Sequence, residues 1–332
     1  MHHVGIIGLG MAVRRHVAAL SSLRDRVHVA AAWSPTTARR DAFAATYGLP
    51  VVDDVAAILE DRRIDLVFVL TPPLSHLDVV ERCARAGKAI LLEKPADVTA
   101  ERAKALVALC HNLGVRLAVC FQNRFRDTYR HLESIIKEKR LGTLIAASAY
   151  VPWWRSAAYY AEKGRGQKAH DGGGVLLNQG IHTLDQLVQL AGIPFEVSAY
   201  CATSPMRAID TEDIAVAALR WETGTLGTIQ ATTAAFPGTP ERIELIGTAG
   251  TAILTRGELS ARFHDGQSIH AREADLPPAE DILPHIRIIS DMLDAMENNR
   301  EPLTSGARSI GVQSLVDAML KSAQEGSSVY VS

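Results

Sequence analysis

Four cysteines in 332 residues are too few for a disulfide-stapled fold, and none of them forms a CxxC pair. Lys and Arg number 35 against 37 Asp and Glu, so no basic excess is present to bind nucleic acid or an anionic membrane surface. No apolar run approaches the ~18 residues of a membrane span. The N-terminal segment lacks the basic start and cleavage site of a signal peptide. We therefore expect a cytoplasmic, globular protein that binds neither nucleic acid nor membranes.

Short apolar segments alternate with helical segments from the start of the chain to Phe121. This alternation is typical of βαβ units that build a parallel sheet. The predicted strands are 4–8, 27–33, 65–70, 89–93 and 116–121. The predicted helices between them are 11–23, 75–86 and 99–113. We therefore predict an α/β protein whose residues 1–121 form a doubly wound parallel sheet.

The pattern changes after Phe121. A helix at 127–140 and a strand at 143–150 precede an irregular segment at 151–173 and a helix at 175–191. Strands at 195–203, 213–221, 225–233 and 241–247 follow, with a tight turn at 222–224, and they favour a largely antiparallel sheet. Helices are predicted at 281–298 and 307–324. Residues 122–332 are therefore expected to form a second α/β domain that binds the substrate.

A glycine-rich turn, GLGMAV at 8–13, follows the first predicted strand and opens the first helix. Gly8 permits a tight turn, and Gly10 lets the backbone approach a pyrophosphate at the positive end of the helix. Val13 occupies the third position of this fingerprint, where Gly or Ala is usual. Glycine turns also occur in sheets that bind nothing. We nevertheless predict a dinucleotide cofactor in contact with Gly8, Gly10, Met11 and Ala12.

The second predicted strand ends without the carboxylate that commonly holds the ribose hydroxyls of NAD. Hydroxyls of Ser34 and Thr36 and the guanidinium of Arg39 follow instead, and they can receive a 2'-phosphate. Thr37 and Arg40 offer the same kinds of group. This pattern favours NADP(H) over NAD(H). In the alternative interpretation, Ser34 or Thr36 caps the next helix and both arginines lie on its solvated face.

Two further strands end at the same ligand-binding edge of the predicted sheet. After the first, Thr71 and Pro72 begin a rigid turn, and His76 follows as either a cofactor contact or a helix residue. After the second, Glu93 and Lys94 precede a proline. Glu93 is a candidate contact to the nicotinamide end of the cofactor, or an ordinary partner of a neighbouring lysine. Lys94 places an amine at this edge.

The helix predicted at 175–191 has a polar stripe beside its apolar face. At about 100° per residue, Asn178, His182 and Asp185 fall in one narrow stripe next to an apolar arc. The stripe begins close to the glycines at 172–174, where a ligand can approach. Asn178 and Asp185 are therefore candidate substrate contacts. On periodicity alone, a structural role is favoured for His182.

Five segments together resemble the Gfo/Idh/MocA family, named after glucose-fructose oxidoreductase, inositol dehydrogenase and rhizopine catabolism. These segments are the GLG turn, TPPLSH at 71–76, EKP at 93–95, DGGG at 171–174 and NQGIH at 178–182. The resemblance implies an N-terminal Rossmann domain and a C-terminal α/β domain with an open, mostly antiparallel sheet. It also implies hydride transfer between NAD(P) and a carbon of a sugar or cyclitol, and a homo-oligomer, either dimer or tetramer.

The resemblance further implies that Lys94 and His182 are catalytic and that a cis peptide precedes Pro95. Either Lys94 or His182 is a candidate for the base that accepts the hydroxyl proton. Many relatives carry aspartate where this chain has Asn178, and an amide cannot accept a proton as a general base. Asn178 is therefore expected to orient a substrate hydroxyl. The NQGIH variant resembles a branch of nucleotide-sugar 3-dehydrogenases, which is a hint about substrate.

The segment 151–173 is aromatic and basic and is predicted to form a wall of the substrate site. Aromatic rings stack on sugars, and cations hold carboxylate or phosphate groups. Alternatively, the segment packs on itself or on another subunit. Its candidate substrate contacts are Trp154, Arg155, Tyr159, Tyr160, Lys168 and His170, with Lys163 and Arg165 nearby. Asn123, in a QNRF segment that resembles a family motif, is a candidate cofactor contact or an interdomain hydrogen bond.

No metal site is predicted. His170, Asp171, His182 and Asp185 are ligand types, but no HExxH pattern or cysteine cluster accompanies them. The favoured hypothesis is an NAD(P)-dependent oxidoreductase of a sugar-type substrate. The alternative is a sensor or regulator of the same fold that binds dinucleotide without chemistry, and the presence of both Lys94 and His182 argues against it.

Overall fold

The computed structural model describes residues 1–162, 164–274 and 280–332, so Lys163 lies outside the described residues. The chain divides into two compact units. The first contains Met1–Gln122 and the described part of Leu276–Ile310, and the second contains the described part of Asn123–Asp275 and Gly311–Ser332. Among the described residues, no helix is long and apolar enough to cross a membrane.

Fourteen strands and eleven α-helices form the described part of the chain. The strands are β1 His2–Ile7, β2 Val27–Trp33, β3 Ile64–Val69, β4 Ala89–Leu92, β5 Leu117–Val119, β6 Leu144–Pro152, β7 Glu196–Ala202, β8 Ile214–Arg220, β9 Leu226–Thr232, β10 Arg242–Gly247, β11 Gly250–Thr255, β12 Glu258–Phe263, β13 Ser268–Arg272 and β14 Val329–Tyr330. The helices are α1 Val13–Ser22, α2 Thr37–Tyr47, α3 Ala56–Leu59, α4 His76–Arg85, α5 Ala100–Asn112, α6 Asp127–Lys137, α7 Ala157–Ala161, α8 Lys168–Asp171, α9 Ile181–Ala191, α10 Leu283–Glu297 and α11 Gly306–Glu325.

The first unit is built on a parallel sheet with the strand order β2-β1-β3-β4-β5. Its central strands are apolar on both faces, and Ile6, Leu66, Phe68 and Ile90 are fully buried. Parallel strands that are covered by helices on both faces require this continuous apolar pattern. The predicted doubly wound Rossmann sheet is confirmed.

The first unit also contains a segment from the far end of the chain. Arg26, directly before β2, donates hydrogen bonds to Asp294 and Glu297 of α10 at 2.7 and 3.0 Å. The carbonyl of Thr304 accepts the backbone N–H of Val119 in β5 at 2.9 Å. The sequence analysis placed all residues beyond 121 in the second domain. Residues 280–310 belong instead with the first unit, because these contacts and the buried face of α10 hold them there.

The second unit is built on a nine-stranded sheet with the order β13-β12-β11-β10-β6-β9-β8-β7-β14. All neighbouring strands are antiparallel except β6 and β9. Helices α6 and α9 pack on one face. The predicted open, mostly antiparallel sheet is confirmed, and β11, β12 and β13 extend it beyond the predicted strands.

The other face of this sheet is exposed over several strands. A row of outward-facing residues crosses five of them in register: Tyr200, Val216, Gln230, Tyr150 and Arg242. The side chain of Tyr200 is 74% exposed, and Val216 and Tyr150 are also exposed. This face therefore presents aromatic and aliphatic side chains without a covering helix among the described residues.

Candidate functional site

The glycine turn between β1 and α1 has the geometry that a pyrophosphate needs. Gly8 adopts a φ of 105°, and a Cβ there would lie 2.6 Å from the carbonyl carbon of Leu70, so only glycine fits. A Cβ at Gly10 would have no protein atom within 4 Å. Backbone at the start of α1 is therefore open to a ligand at the positive end of the helix. Val13 is buried and begins α1, so the chain accommodates its branched side chain at the third fingerprint position.

The segment after β2 contains one arginine with a structural role and several side chains that make no hydrogen bond within the described chain. Arg40 is largely buried and donates to the carbonyl of Ser34 at 2.7 Å and to Asp53 at 2.9 Å. Thr36 occupies the N-cap position of α2, but its hydroxyl makes no capping hydrogen bond. Arg39 is exposed. Within the described chain, the side chains of Ser34, Thr36 and Arg39 form no hydrogen bond or ion pair. Thr36 and Arg39 are exposed and accessible to a ligand, whereas Ser34 is buried.

His76 does not lie on the surface of the turn that follows β3. Its ring is fully buried, with Nε2 2.9 Å from the carbonyl oxygen of Thr71 and Nδ1 3.0 Å from that of Pro95. Burial lowers the pKa of His76. The prediction that His76 contacts the cofactor is therefore wrong, because both ring nitrogens face backbone inside the unit. His76 instead joins the turn at Thr71 and Pro72 to the segment after Lys94.

Glu93 and Lys94 follow β4 at the same edge, and the peptide between Lys94 and Pro95 is cis, as predicted. Nε2 of His16 donates to one carboxylate oxygen of Glu93 at 2.8 Å, and the backbone N–H of Lys94 donates to the other at 3.0 Å. Burial would raise the pKa of Glu93, but the hydrogen bond and charge of His16 and the charge of Lys94 outweigh it and hold the pKa at about 2. Glu93 is thus an anion fixed from both sides.

His16 and His285 surround Glu93 and were not identified from the sequence. Their rings meet edge to face with centroids 5.4 Å apart, and both are buried. Within the described ranges, one group of three His, Cys or carboxylate side chains has its ligand atoms within 4.8 Å of one another, namely His16, Cys120 and His285. The residues considered as ligands from the sequence are not in it. Burial raises the pKa of the Cys120 thiol well above its usual range, so the thiol is protonated.

In the second unit, His182 and Asn178 stand at the start of α9. A π-helical turn, Val175–Gln179, precedes α9, so the predicted continuous helix is interrupted. Glu212 caps this turn by accepting the backbone N–H groups of Gly174 and Leu176, each at 3.1 Å. Glycine is required at 174 because a Cβ would lie 1.9 Å from the carbonyl oxygen of Glu212. The side-chain amide of Asn178 donates to two carbonyls of the glycine loop.

Asp185 was predicted to contact the substrate, and the structure contradicts this prediction. Its side chain is 1% exposed and forms a bidentate ion pair with Arg124, whose Nε donates to the carboxylate at 2.7 Å. Both oxygens are engaged, because a planar guanidinium matches a carboxylate in this way. Asp185 therefore fixes α9 to the turn that begins the second unit.

The described part of the segment 151–171 contacts the π-helical turn that precedes α9. The hydroxyl of Tyr159 accepts the side-chain amide of Gln179 at 3.1 Å, one residue from Asn178. The guanidinium of Arg155 lies over the rings of Trp153 and Tyr159, 5.0 and 5.6 Å from their centroids. The structure thus brings Arg155 and Tyr159 close to the π-helical turn.

A buried arginine that sequence analysis did not single out orders this segment. Arg207 donates to Asp213 at 2.8 Å and to the carbonyl of Thr233 at 2.7 Å. Its guanidinium also lies over the rings of Trp154 and Tyr160. These two aromatic residues are therefore partly engaged as packing partners of Arg207. A sequence offers no sign of such a role, because Arg207 lies in an irregular segment between two strands.

The remaining predicted residues differ in exposure. Lys168 is exposed at the start of α8, and His170 is about half exposed with Nδ1 3.1 Å from Asp171. The carbonyl of Asn123 accepts the side-chain amide of Gln186 at 3.3 Å, within the second unit. Met11 is exposed beside the glycine turn. Lys168 and His170 are accessible to a ligand.

Two family models match the chain in succession. Residues 2–121 match the GFO_IDH_MocA model, described as an oxidoreductase family with an NAD-binding Rossmann fold. Residues 129–253 match the model of the GFO/IDH/MocA C-terminal domain. The two matches fall on the two units described above.

Individual relatives match over nearly the whole chain. Inositol 2-dehydrogenase of Rhizobium meliloti is 28% identical over 97% of this chain and 96% of its own length. D-apiose dehydrogenase of Paraburkholderia graminis is 27% identical over 98% and 88%. The crystal structure of the WlbA dehydrogenase from Bordetella pertussis, in complex with NADH and UDP-GlcNAcA, is 28% identical, has a TM-score of 0.87 and covers 99% of this chain and 98% of its own. The chain therefore belongs to the Gfo/Idh/MocA family of oxidoreductases and is a nicotinamide-dinucleotide-dependent dehydrogenase.

Proposed function

We propose that this dehydrogenase transfers hydride between NAD(P) and a secondary alcohol or ketone carbon of an anionic sugar derivative, with Lys94 and His182 handling the hydroxyl proton. The observation that carries the proposal is the position of Lys94. It follows β4 at the edge of the sheet where the Gly8–Gly10 turn also lies, which is where open α/β sheets bind ligands. An amine at that edge would lie beside a bound dinucleotide.

When bound, the nicotinamide supplies the hydride acceptor or donor. During oxidation, the C–H electron pair leaves the carbinol carbon as hydride, and the O–H proton passes to one of Lys94 and His182. The other residue donates a hydrogen bond to the same oxygen and stabilises its developing charge. Asn178 is an amide and takes no proton. Its hydrogen bonds to the carbonyls of Asp171 and Gly173 fix the orientation of its side chain, which supports the proposal that Asn178 orients a substrate hydroxyl.

The proposed negative charge of the substrate is supported by Arg155. Among the described residues, no carboxylate lies within ion-pair distance of its guanidinium, which is held over two aromatic rings. A cation beside aromatic rings suits a sugar that carries a carboxylate or phosphate. Lys168 and His170 extend this basic surface. The UDP-GlcNAcA bound by the WlbA dehydrogenase carries such groups.

We also propose that NADP(H) is preferred over NAD(H). Support comes from the exposed side chains of Thr36 and Arg39, and from the absence of a carboxylate at residues 34–40 of the sequence. Fluorescence titration with NADPH and NADH tests this directly. Arg39→Ala is expected to weaken NADPH binding about tenfold, or about 1.4 kcal/mol, and to leave NADH binding unchanged. Tighter binding of NADH by the unmodified protein would refute the preference.

A homo-oligomer in the cytoplasm completes the proposal. The exposed row on the nine-stranded sheet, which includes Tyr150 and Tyr200, is a surface that a second copy can cover. The four cysteines are free thiols, as expected in a reducing compartment. Light scattering of the unmodified protein and of Tyr150→Arg tests the assembly, and a monomer in both cases would refute it.

The catalytic assignment is tested with a panel of neutral sugars, sugar acids and nucleotide sugars, followed at the absorbance of reduced nicotinamide. Lys94→Met and His182→Asn are each expected to lower kcat about 10²- to 10⁴-fold while dinucleotide binding persists. Lys104→Met, on the exposed face of α5, is the matched control. Full activity of Lys94→Met would refute the role of Lys94. Dinucleotide binding without turnover of any panel member would favour a sensor.

A further inference from the structure

Glu93 connects the glycine turn to the proposed catalytic lysine. One carboxylate oxygen accepts Nε2 of His16 at 2.8 Å, and the other accepts the backbone N–H of Lys94 at 3.0 Å. His16 lies in α1, directly after the turn that begins at Gly8. A single carboxylate therefore joins α1 to the peptide that carries Lys94.

We infer that His16 is a positioning residue which acts through Glu93 to fix the place and the charge state of Lys94 during hydride transfer. The inference rests on the proposed role of Lys94. It goes beyond that role by assigning a function to two residues that lie behind the lysine, of which His16 has no exposed surface.

Within the described chain, Glu93 is the hydrogen-bond partner that accounts for a buried imidazole, rather than an apolar side chain, at position 16. Nδ1 of His16 is buried and has no hydrogen-bond partner in the described part of the chain. The ring otherwise packs edge to face against Phe68 and His285, with centroids 5.6 and 5.4 Å away. A half-paired buried polar ring costs free energy that an apolar side chain of similar size avoids. Its polar benefit therefore comes from the bond to Glu93.

Two ionisable neighbours of Glu93, His285 and Cys120, are uncharged, so neither weakens the effect of the Glu93 carboxylate on Lys94. His285 is held neutral, because burial lowers its pKa to about 3. The Cys120 thiol is protonated, since burial raises its pKa. The other ionisable groups that act on these neighbours are Arg15 and Asp281. An ionised Glu93 next to Lys94 stabilises the ammonium form and opposes the effect of desolvation on the lysine.

Two substitutions of His16 separate positioning from packing. His16→Leu keeps the volume and removes the donor, whereas the side-chain amide of His16→Gln extends about as far as Nε2 and keeps it. We expect kcat of His16→Leu to fall about 10- to 100-fold, in line with a misplacement of about 1 Å. KM and the dissociation constant of the dinucleotide should stay within about twofold. His16→Gln should recover most of the lost kcat. His111→Leu, at the exposed end of α5, is the matched control.

The pH dependence of kcat is the readout that a packing role would not change. Glu93→Gln removes the negative charge, so the ammonium of Lys94 loses stabilisation and its pKa falls. The limb of the profile that reports Lys94 should move to lower pH by about one unit, the low end of the effect of an adjacent opposite charge. The same direction holds whether Lys94 acts as base in oxidation or as acid in reduction.

The outcomes distinguish this inference from the proposed function. Equal losses of kcat and of thermal stability in His16→Leu and His16→Gln, with an unmoved limb in Glu93→Gln, would overturn the inference. Unchanged kcat in His16→Leu, together with an inactive Lys94→Met, would also overturn it while the proposed function stands. An active Lys94→Met would overturn both. If His16→Leu does not fold, the shift in Glu93→Gln and the kcat of His16→Gln decide.

Discussion

Replacing Asp185 with asparagine should reduce stability and leave substrate affinity almost unchanged. The ion pair with Arg124 is almost completely buried, with side chains 6% and 1% exposed. Asp185→Asn retains the volume but leaves a buried guanidinium without its counter-ion, which costs about 3–5 kcal/mol in comparable sites. The amide oxygen of asparagine can still accept one of the two hydrogen bonds from Arg124, so the substitution also removes one charge-assisted hydrogen bond, worth about 1.5–3 kcal/mol.

Urea unfolding followed by tryptophan fluorescence measures this effect, because Trp153, Trp154 and Trp221 all lie in the second unit. At about 3 kcal/mol per molar urea, the midpoint should fall by about 1–2 M. Glu196→Gln is the matched control: its partner Arg220 is 54% exposed, so the loss should stay below about 1 kcal/mol. A midpoint shift no larger than that of the control, together with a raised KM, would refute a structural role and restore Asp185 as a substrate contact.

Three further predictions concern the turn, a buried histidine and a thiol. Gly8→Ala should cost about 1–3 kcal/mol through strain at positive φ and weaken dinucleotide binding, which a thermal melt with and without NADPH measures; an unchanged melt would contradict the close contact at Gly8. The pKa of His285 falls to about 3 from 6.5, so its contribution to stability is present above pH 6.5 and is lost as the pH falls toward 3. His285→Gln should therefore remove about 2 kcal/mol of the difference in unfolding free energy between pH 7 and pH 4.5, and an identical difference in both proteins would show that His285 is not buried neutral. Partial burial raises the pKa of Cys201 to about 12, so Cys201 of the native protein should react slowly with a disulfide reagent at pH 8 and rapidly in urea; fast native labelling at Cys201 would contradict the raised pKa.

The strands of the first sheet could be predicted closely because each has a recognisable sequence pattern. Parallel strands are buried on both faces, so each appears as a continuous apolar run, and the predicted 27–33 coincides with β2. The antiparallel strands β11 to β13 were missed because one face of each is solvated and their polar residues interrupt the apolar pattern. A short strand of that kind resembles a loop in the sequence.

The site residues show where periodicity stops being informative. The polar stripe on α9 contains both His182 and Asp185. Helical spacing alone does not show that the carboxylate of Asp185 forms an ion pair with Arg124. Similarly, His16 lies three residues after the fingerprint segment, but its partner Glu93 is 77 residues away in the sequence. A pattern predicts which face of an element is polar, whereas the partner of each polar group depends on which distant segments meet.

The discontinuous first unit has a consequence for the order of events during protein synthesis. Residues 123–275 emerge from the ribosome before α10, and at about 5–20 residues per second their synthesis takes about 8–30 s. Throughout that interval the nascent first unit lacks His285, which packs against His16 beside Glu93. The backbone N–H of Val119 in β5 likewise has no carbonyl of Thr304 to donate to until that residue has been synthesised. The second unit can therefore form its sheet up to β13 while the first unit is still incomplete. The complete ligand-binding edge of the first unit can bind the cofactor only in the last stage of translation.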